Sequence, residues 1–340
     1  MKKIWQTCKA YPIAIVFFVF LMGFSVLDAL WPKRAHSELE NRDLAQKPAF
    51  SIASVVSKQN PWMVQYEAYV KDQIAFRDGW IDLKSYAEAA LLKTENNDVY
   101  YGEDGYLFKQ LLGVDESRFA RNVTALANLC ERHPGMVDVM IVPSASLVLK
   151  DKLPANAPGL DENAHLDEIY AAAQAAGGNP YDMREVLGAH ADEYIYYRTD
   201  HHWTSLGAFT AYQASGDVLG FTPLSASAFE VERASDQFLG TLYSKTLYNG
   251  IGKDSIDLYH YQDDNAVSEV VVNAGSKKSS YQSIYFRDFL DKKDKYSVFL
   301  GSNQPVVTVK TGNKNGKKLL IFKDSYAHCY AQFLIPHYEE

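Results

Sequence analysis

The feature that most constrains the fold of this chain is an abrupt change of pattern between residues 194 and 219. Residues 194–197 (YIYY) are apolar and predict a strand, whereas residues 205–219 have the spacing of a helix. The polar run 199–204 (TDHHWT) lies between them. Alternating strands and helices build open α/β sheets, which bind ligands at the carboxyl ends of their strands. The sequence therefore predicts an α/β fold with a functional site at this junction.

The polar run places an acid beside a base. In an extended chain, Asp200 and His202 lie on one face and His201 on the other, because side chains alternate. A carboxylate in this position can orient an imidazole so that the ring acts as a general base. The spacing therefore predicts an Asp200–His202 pair.

A second junction supplies a nucleophile for this base. Residues 319–322 (LLIF) predict a buried strand, and Ser325 follows at the start of a helical pattern. Backbone N–H groups at a helix start can stabilise a developing oxyanion. A serine in this position is often only a helix cap, and Asp-x-His pairs also arise by chance. Since the two junctions complement each other, we predict a triad of Ser325, His202 and Asp200.

Residues 296–303 contain two further candidates for the site. Gly301 offers a backbone N–H and Asn303 a side-chain amide, and both could donate to an oxyanion. An ordinary turn between strands is the alternative interpretation of the same residues.

The N-terminal segment predicts attachment to a membrane. Lys2, Lys3 and Lys9 precede residues 11–31, which are almost wholly apolar and long enough to cross a bilayer. A cleaved signal peptide is the alternative, but residues 30–34 (LWPKR) supply none of the small residues that a cleavage site requires. We therefore expect an uncleaved single-pass anchor in the cell membrane, with a cytoplasmic tail and an extracytoplasmic body.

These patterns predict three regions. Residues 1–31 form the tail and transmembrane anchor, residues 32–95 a polar stalk and helical region, and residues 96–340 a catalytic α/β domain. About 120 residues separate the two junctions, so we expect an insertion at about 221–303 that acts as a lid or substrate-binding excursion. The chain stops soon after the helix that follows Ser325, where a doubly wound fold would continue. We expect the sequence to be a fragment lacking a last strand and helix.

Local patterns predict further helices and strands. The helices are expected near residues 61–74, 78–93, 115–135, 163–176 and 183–190. The strands are expected within residues 98–108 and at 137–143, 269–272 and 281–286.

Composition excludes several classes of function. The net charge is −8 with a pI near 5.6 and no basic stripe, which argues against a nucleic-acid partner. Cys8, Cys130 and Cys329 do not make a disulfide framework for an exported body, and no CxxC spacing indicates structural zinc. The predicted chemistry requires no metal and no diffusible cofactor.

A metal site remains an alternative at the first junction. Asp200, His201, His202 and His328 carry atoms that can bind a cation. We disfavour this interpretation because adjacent histidines of an extended chain point to opposite faces, and no His-Glu-x-x-His spacing is present.

The two junctions also resemble a known family. Residues 199–204 match the motif that names the bacterial DHHW family, and residues 323–327 (KDSYA) resemble its serine block. Residues 38–42 (ELENR) and 101–108 (YGEDGYLF) add to the similarity. This family is similar to periplasmic proteins of alginate O-acetylation, which combine an SGNH-hydrolase-like α/β/α fold with an Asp-x-His-Trp motif and a late serine.

The resemblance implies a three-layer α/β/α domain in which Ser325, His202 and Asp200 carry the catalytic roles. It also implies a membrane-bound O-acyltransferase as the acyl donor and a cell-envelope glycan as the acceptor. The order of the residues departs from ordinary SGNH enzymes, since here the acid and base precede the serine.

The sequence thus predicts an extracytoplasmic O-acyltransferase, in the simplest case an O-acetyltransferase, that acts on a polysaccharide through an acyl-enzyme. Two alternatives stay open. One is an esterase that removes acyl groups from such a glycan, and the other is a non-catalytic envelope protein that binds glycan or an acyltransferase.

Overall fold

A computed structural model describes residues 11–40, 42–248, 250–261, 267–275 and 277–340. The chain divides into two compact units, Met1–Ala87 and Glu88–Glu340. The lysines on which the predicted topology depends, together with Cys8, lie outside the described residues. The predicted division at residues 31 and 95 stays a prediction.

The described part of the first unit begins with an apolar helix. Helix α1 (Pro12–Leu30) is long and apolar enough to cross a membrane, by length and composition. The rest of this unit contains a short antiparallel ribbon and three helices, with α4 continuing a few residues beyond the unit. These elements are β1 (His36–Ser37), β2 (Arg42–Asp43), α2 (Ile52–Val55), α3 (Trp62–Gln73) and α4 (Arg77–Ala90).

Part of the predicted stalk is folded. The buried side chain of Gln73, at the end of α3, donates to the carbonyls of Arg34 (2.8 Å) and Ala45 (3.0 Å) and accepts from the Arg34 amide (3.0 Å). Arg34 and Ala45, within the predicted stalk, therefore make ordered contacts with α3, and the stalk itself stays a prediction. These hydrogen bonds join residues that are 28 and 39 positions apart in sequence, so no local periodicity predicts them.

The second unit is a mixture of strands and helices. Strand β6 (Asp138–Ile141) pairs in parallel with β7 (Asn179–Asp182), and helix α7 (Glu162–Ala175) lies in the connection between them. The other elements in chain order are β3 (Glu95–Asn96), β4 (Val99–Tyr101), β5 (Leu107–Lys109), α5 (Glu116–Arg132), α6 (Ala145–Val148), α8 (Arg184–Gly188), α9 (Ser205–Leu219), β8 (Phe229–Phe238), α10 (Thr241–Thr246), β9 (Asp254–Tyr261), β10 (Val267–Ala274), β11 (Lys277–Tyr281), β12 (Val306–Thr311) and α11 (Tyr326–Tyr330). The chain is thus a mixed α/β protein with an N-terminal apolar helix.

The remaining strands pair antiparallel. Strands β3, β4 and β5 follow one another in one sheet, β8 pairs with β9, and β10 lies between β11 and β12. The residues predicted as an insertion supply β8 to β11, and Phe238, Ile256 and Leu258 from this region are buried in the main core. The predicted strand at 281–286 is wrong beyond Tyr281, where β11 ends.

Both strands predicted at the junctions are wrong. Residues 194–197 do not form a strand, and only an isolated bridge joins Tyr196 to Trp203. Residues 319–322 are extended without a strand partner among the described residues, and Leu320 and Phe322 are 80% exposed. An apolar run indicates a tendency to be buried, but a strand also needs a neighbour in register, which the run does not specify.

Helix α9 is predicted correctly because its ends carry strong signals. Thr204 caps the first turn by accepting from the amide of Gly207 (3.2 Å), and Gly220 ends the helix with φ +69°. Left-handed φ values suit glycine, which has no Cβ. This helix fixes the polar run against the core, where Trp203, Tyr196 and Tyr212 are fully buried.

Candidate active site

The polar run 199–204 forms a tight turn. The amide of Tyr197 donates to the carbonyl of His202 (3.2 Å), and the amide of Thr204 donates to the carbonyl of Ile195 (2.9 Å). These two hydrogen bonds turn the chain back on itself before α9 begins. The turn brings the polar side chains of Asp200, His201 and His202 close together, whereas an extended strand would separate them.

Two hydrogen bonds join this turn to α11, the helix that follows Ser325. Trp203 Nε1 donates to the backbone carbonyl of Tyr326 (3.0 Å), and the Tyr326 hydroxyl donates to the carbonyl of His201 (2.5 Å). The two partners of each bond are 123 and 125 residues apart in sequence. The buried tryptophan of the motif therefore helps to bring the two predicted junctions together.

The three predicted triad residues form a continuous chain of hydrogen bonds. Ser325 Oγ lies 2.6 Å from His202 Nε2, and His202 Nδ1 lies 2.5 Å from Asp200 Oδ1. In the neutral imidazole, Nδ1–H then donates to the carboxylate and Nε2 accepts from the hydroxyl. This geometry allows a proton to pass from the serine to the imidazole. The catalytic roles of the three residues remain a prediction.

Ser325 does not cap α11. Its side chain makes no capping hydrogen bond, whereas Asp324 Oδ1 accepts from the amide of Tyr326 (2.9 Å). The alternative interpretation of Ser325 as an N-cap is therefore wrong. Its hydroxyl is bonded to His202, and the residue as a whole is partly exposed.

Asp200 is held as a buried anion. Its Oδ2 accepts from the amide (2.7 Å) and hydroxyl (2.9 Å) of Thr241, and the residue is 2% exposed. Burial alone would raise the pKa of Asp200, but His202 and these hydrogen bonds hold it well below its usual range. The carboxylate therefore stays ionised and can stabilise a protonated His202.

Gly240 lies between strand β8 and helix α10 and approaches Asp200 closely. A Cβ at this position would lie 2.3 Å from the Cβ of Asp200. Sequence reasoning missed both Gly240 and Thr241. A Gly-Thr pair at a helix start is a weak capping signal, and nothing local links it to a carboxylate 41 residues away.

Asp254 supports the start of the turn and was also missed. Its carboxylate accepts from the amide (2.7 Å) and hydroxyl (2.5 Å) of Thr199, the amide of Arg198 (3.0 Å) and the hydroxyl of Tyr194 (2.5 Å). Burial raises the pKa of Asp254. The threonine that opens the motif is thus fixed by a buried carboxylate from β9.

His201 lies beside His202, so the prediction that it faces away is wrong. The two ring centroids are 3.9 Å apart, and His201 Nδ1 lies 2.8 Å from the Thr241 hydroxyl. Period two applies to extended chain, whereas this segment is a turn. Burial lowers the pKa of His201 to about 4, although Asp200 acts against this, so its ring is neutral near pH 7.

The same turn brings potential metal ligands together. One ligand atom from each of Asp200, His201 and His202 lies within 4.8 Å of the others. Both ring nitrogens of His202 are already bonded, to Asp200 and to Ser325, and this arrangement fits a proton relay. His328 Nε2 instead lies 2.5 Å from Lys323 Nζ, and burial followed by this ammonium lowers the pKa of His328 to about 3.

Gly301 and Asn303 lie in a turn after a short 3-10 helix. Gly301 has φ +70°, its carbonyl accepts from the side chain of Gln304 (2.8 Å), and an added Cβ would contact Phe286 at 3.0 Å. Within the described part of the chain, no hydrogen bond joins either residue to Ser325. Their predicted role in an oxyanion hole stays untested.

Comparison with solved structures identifies chains with a similar fold. The chain is similar to a DHHW family protein from Eubacterium siraeum, with 27% identity and a TM-score of 0.61 over 72% of this chain and 81% of that one. Bacillus cereus PatB1, determined with a sulfonyl adduct, is 17% identical with a TM-score of 0.58 over 71% and 83% of the two chains. The O-acetyltransferase domain of Pseudomonas putida AlgJ is 21% identical with a TM-score of 0.40 over 49% and 67%.

No curated protein sequence matches the chain. The family model of the DHHW protein matches residues 99–340, a segment that contains the Asp-His-His-Trp turn and Ser325. Because this segment covers most of the sequence, the chain belongs to the DHHW family.

Proposed function

We propose that this protein is an extracytoplasmic O-acyltransferase that moves an acyl group, in the simplest case acetyl, onto a hydroxyl of a cell-envelope polysaccharide. The observation that carries the proposal is the unbroken contact from Ser325 through His202 to Asp200. A serine bonded to an imidazole that is itself bonded to a buried carboxylate suits nucleophilic acyl transfer. The family resemblance favours a glycan hydroxyl as the acceptor.

The first half of the reaction forms an acyl-enzyme. Ser325 Oγ attacks the carbonyl carbon of the acyl donor as its proton passes to His202 Nε2, and the carbonyl electrons move to oxygen. Asp200, ionised and bonded to Nδ1, stabilises the imidazolium that results. The tetrahedral intermediate then expels the leaving group, which takes the proton from His202, and the acyl group stays on Ser325.

The second half transfers the acyl group. A sugar hydroxyl attacks the serine ester while His202 Nε2 accepts its proton. Collapse of this second intermediate releases the acylated sugar and returns the proton to Ser325 Oγ. The base is used twice, and no group besides the triad has to change its protonation state.

We further propose that α1 anchors the protein in the cell membrane and that the body lies outside the cytoplasm. A membrane-bound O-acyltransferase would then deliver the acyl group across the bilayer to Ser325. The body would have the three layers of an SGNH hydrolase, with the region of about 221–303 as its insertion. The apolar length of α1 and the parallel β6–β7 pair support this arrangement.

Hydrolysis of acylated glycans is the second candidate function. Ser325 is partly exposed, so water can reach an acyl group attached to it. Esterases and transferases share the relay and differ in how well the acyl-enzyme is protected from water.

The nucleophile can be tested with purified protein. A sulfonyl fluoride, chosen because PatB1 was determined with a sulfonyl adduct, is expected to add once to the wild type at Ser325 and not to a Ser325→Ala variant. Ser225→Ala serves as the matched control and should react like the wild type, because Ser225 is exposed and its hydroxyl lies against that of Ser227, away from the relay. Equal labelling of Ser325→Ala and the wild type would contradict the proposed nucleophile.

Transfer and hydrolysis are separated by supplying a chromogenic acetyl ester with and without a polysaccharide acceptor. Transfer predicts acetylated glycan and faster ester consumption when the acceptor is present. Rapid release of free acetate with an unmodified glycan would favour the esterase. In cells, unchanged glycan acylation by Ser325→Ala would favour a non-catalytic role.

A further inference from the structure

We infer that Tyr296 is a positioning residue for this reaction, because it fixes the ring plane of the base and the backbone of the nucleophile at the same time. The inference rests on the proposed function and extends it to a residue that the relay itself does not include. Tyr296 belongs to a short 3-10 helix at Lys295–Val298 and is buried in the main core.

The ring of Tyr296 is stacked on the ring of His202. Their centroids are 3.9 Å apart and the two planes differ by 9°. His201 also approaches the His202 ring, at 3.9 Å with a 36° tilt. The rings of His201 and Tyr296 both lie against the His202 ring at this short distance, and there is no room for both on the same face. The imidazole of His202 is therefore clamped between His201 and Tyr296.

The hydroxyl of Tyr296 reaches the nucleophile. It donates to the backbone carbonyl of Ser325 at 3.0 Å. Burial raises the pKa of Tyr296 well above its usual value, so the hydroxyl keeps its proton and remains a donor. One rigid side chain thus links the base and the residue that carries the nucleophile, which are 123 residues apart in sequence.

The stack also matters for the charge that forms during the reaction. When His202 takes the serine proton, it becomes a cation lying against the face of an electron-rich phenol ring. Cations over aromatic faces are stabilised, and more so where water is excluded. Tyr296 therefore favours the protonated base in the transition state as well as holding its ring in place.

Neighbouring contacts keep Tyr296 in this position. Its ring packs against Phe299 and Tyr197 with centroids at 5.4 Å and 6.2 Å. The hydroxyl of Ser297, the next residue, donates to Asp294 (2.5 Å) and closes the 3-10 turn. A side chain supported on this many sides can hold the imidazole without rearranging during the reaction.

The test compares two variants that separate the hydroxyl from the ring. Tyr296→Phe keeps the stack and loses the bond to Ser325, so acylation of Ser325 by p-nitrophenyl acetate should slow by about 3- to 10-fold. Tyr296→Leu loses both contacts, and its acylation should slow by about 100-fold. KM should change little in either variant, because neither contact involves the substrate.

The matched control is Tyr338→Phe. The Tyr338 hydroxyl also donates to a backbone carbonyl at 3.0 Å, that of Leu219, and Tyr338 is likewise buried in the main core. This variant loses an equivalent hydrogen bond with no contact to the relay, so its acylation rate should match that of the wild type. Thermal unfolding of all three variants checks that they are folded.

The pH dependence of acylation distinguishes a positioning role from general damage. Loss of the facing ring in Tyr296→Leu disfavours the protonated base, so the midpoint of the acid limb should move to lower pH by about half a unit. Tyr296→Phe should keep the wild-type midpoint. Partial unfolding of a variant would lower its acylation rate without moving the midpoint of the acid limb.

The outcomes separate this inference from the proposed function. If Ser325 of the wild type is not acylated at all, the proposed nucleophile is wrong and the role of Tyr296 falls with it. If the wild type is acylated and Tyr296→Phe reacts within about twofold of it, or Tyr338→Phe slows equally, only the inference about Tyr296 is overturned.

Discussion

Gly240 leaves no room for a side chain beside Asp200, and a single added methyl group there should disable the site. In Gly240→Ala, the new Cβ would lie 2.3 Å from the Cβ and 2.4 Å from Oδ2 of Asp200. The backbone of Gly240 has φ −81° and ψ −163°, which alanine adopts without strain. The effect of the substitution therefore comes from the clash with Asp200 alone.

The size of the effect follows from the hydrogen bonds that Asp200 would lose. Relief of the clash requires a shift of about 1 Å, which is incompatible with keeping its bonds to His202 (2.5 Å) and Thr241 (2.7 Å and 2.9 Å). Loss of the orienting carboxylate in a serine triad costs up to about 10⁴-fold in kcat. We expect a loss of about 10²- to 10⁴-fold, or about 3–5 kcal/mol in transition-state stabilisation. Overpacking should also lower the free energy of unfolding by about 1–3 kcal/mol.

Release of p-nitrophenol from p-nitrophenyl acetate in a single turnover measures this loss. Asp200→Asn provides the reference for a relay without its carboxylate. Gly252→Ala is the matched control, since no atom would lie within 4 Å of its new Cβ, and it should keep wild-type kinetics. A folded Gly240→Ala protein with kcat within tenfold of the wild type would show that the orientation of Asp200 does not matter as argued.

Three further substitutions test two supports of the turn, Trp203 and Asp254, and one partly buried lysine, Lys293. Trp203→Phe removes the bond from the buried indole to the Tyr326 carbonyl and leaves a small void, so urea unfolding should show a loss of about 2–3 kcal/mol. Asp254→Asn places an amide where the Thr199 amide and hydroxyl need an acceptor, and it should lower the unfolding free energy by about 1–3 kcal/mol together with kcat. Burial lowers the pKa of Lys293 to about 8 from its usual 10.5. Between pH 8 and pH 10.5 the lysine is therefore protonated in the unfolded chain and neutral in the folded one. The free energy of unfolding consequently rises with pH over this range. Lys293→Met should abolish that rise in pH-dependent unfolding and stabilise the protein by about 1–2 kcal/mol at pH 7, a figure discounted for the partial exposure of the side chain.

The proximity of the three predicted triad residues could be anticipated because they stand at abrupt changes of pattern. Asp200, His202 and Ser325 each follow an apolar run and precede a helix, and such positions carry polar side chains for few purposes other than capping or chemistry. The predicted strands beside them were nevertheless wrong. The first apolar run is buried without pairing and the second is largely exposed, because burial and pairing both depend on neighbours that the local sequence does not contain.

The supporting residues could not be predicted from the sequence. Thr241, Asp254 and Tyr296 belong to elements that are distant along the chain from the residues they contact. Each is an ordinary residue in its own segment, and its importance arises only when the fold brings that segment to the turn. The misplacement of His201 has the same origin, since the turn is closed by hydrogen bonds that no periodicity reveals.

The Asp-His-His-Trp motif contributes residues that hold the turn against α11 as well as residues of the proposed relay. In the proposed mechanism Asp200 orients the base and His202 carries the proton, while His201 packs against the imidazole and Trp203 bonds to the carbonyl of the residue next to the proposed nucleophile. Serine and histidine must meet within hydrogen-bond distance although 123 residues separate them, and a single bond between their side chains is too weak to impose that geometry. A bulky indole that is fully buried beside the base supplies both the apolar burial and the directed bond that keep α11 in register. We therefore expect the tryptophan of the motif to help hold the serine in place without taking part in proton transfer.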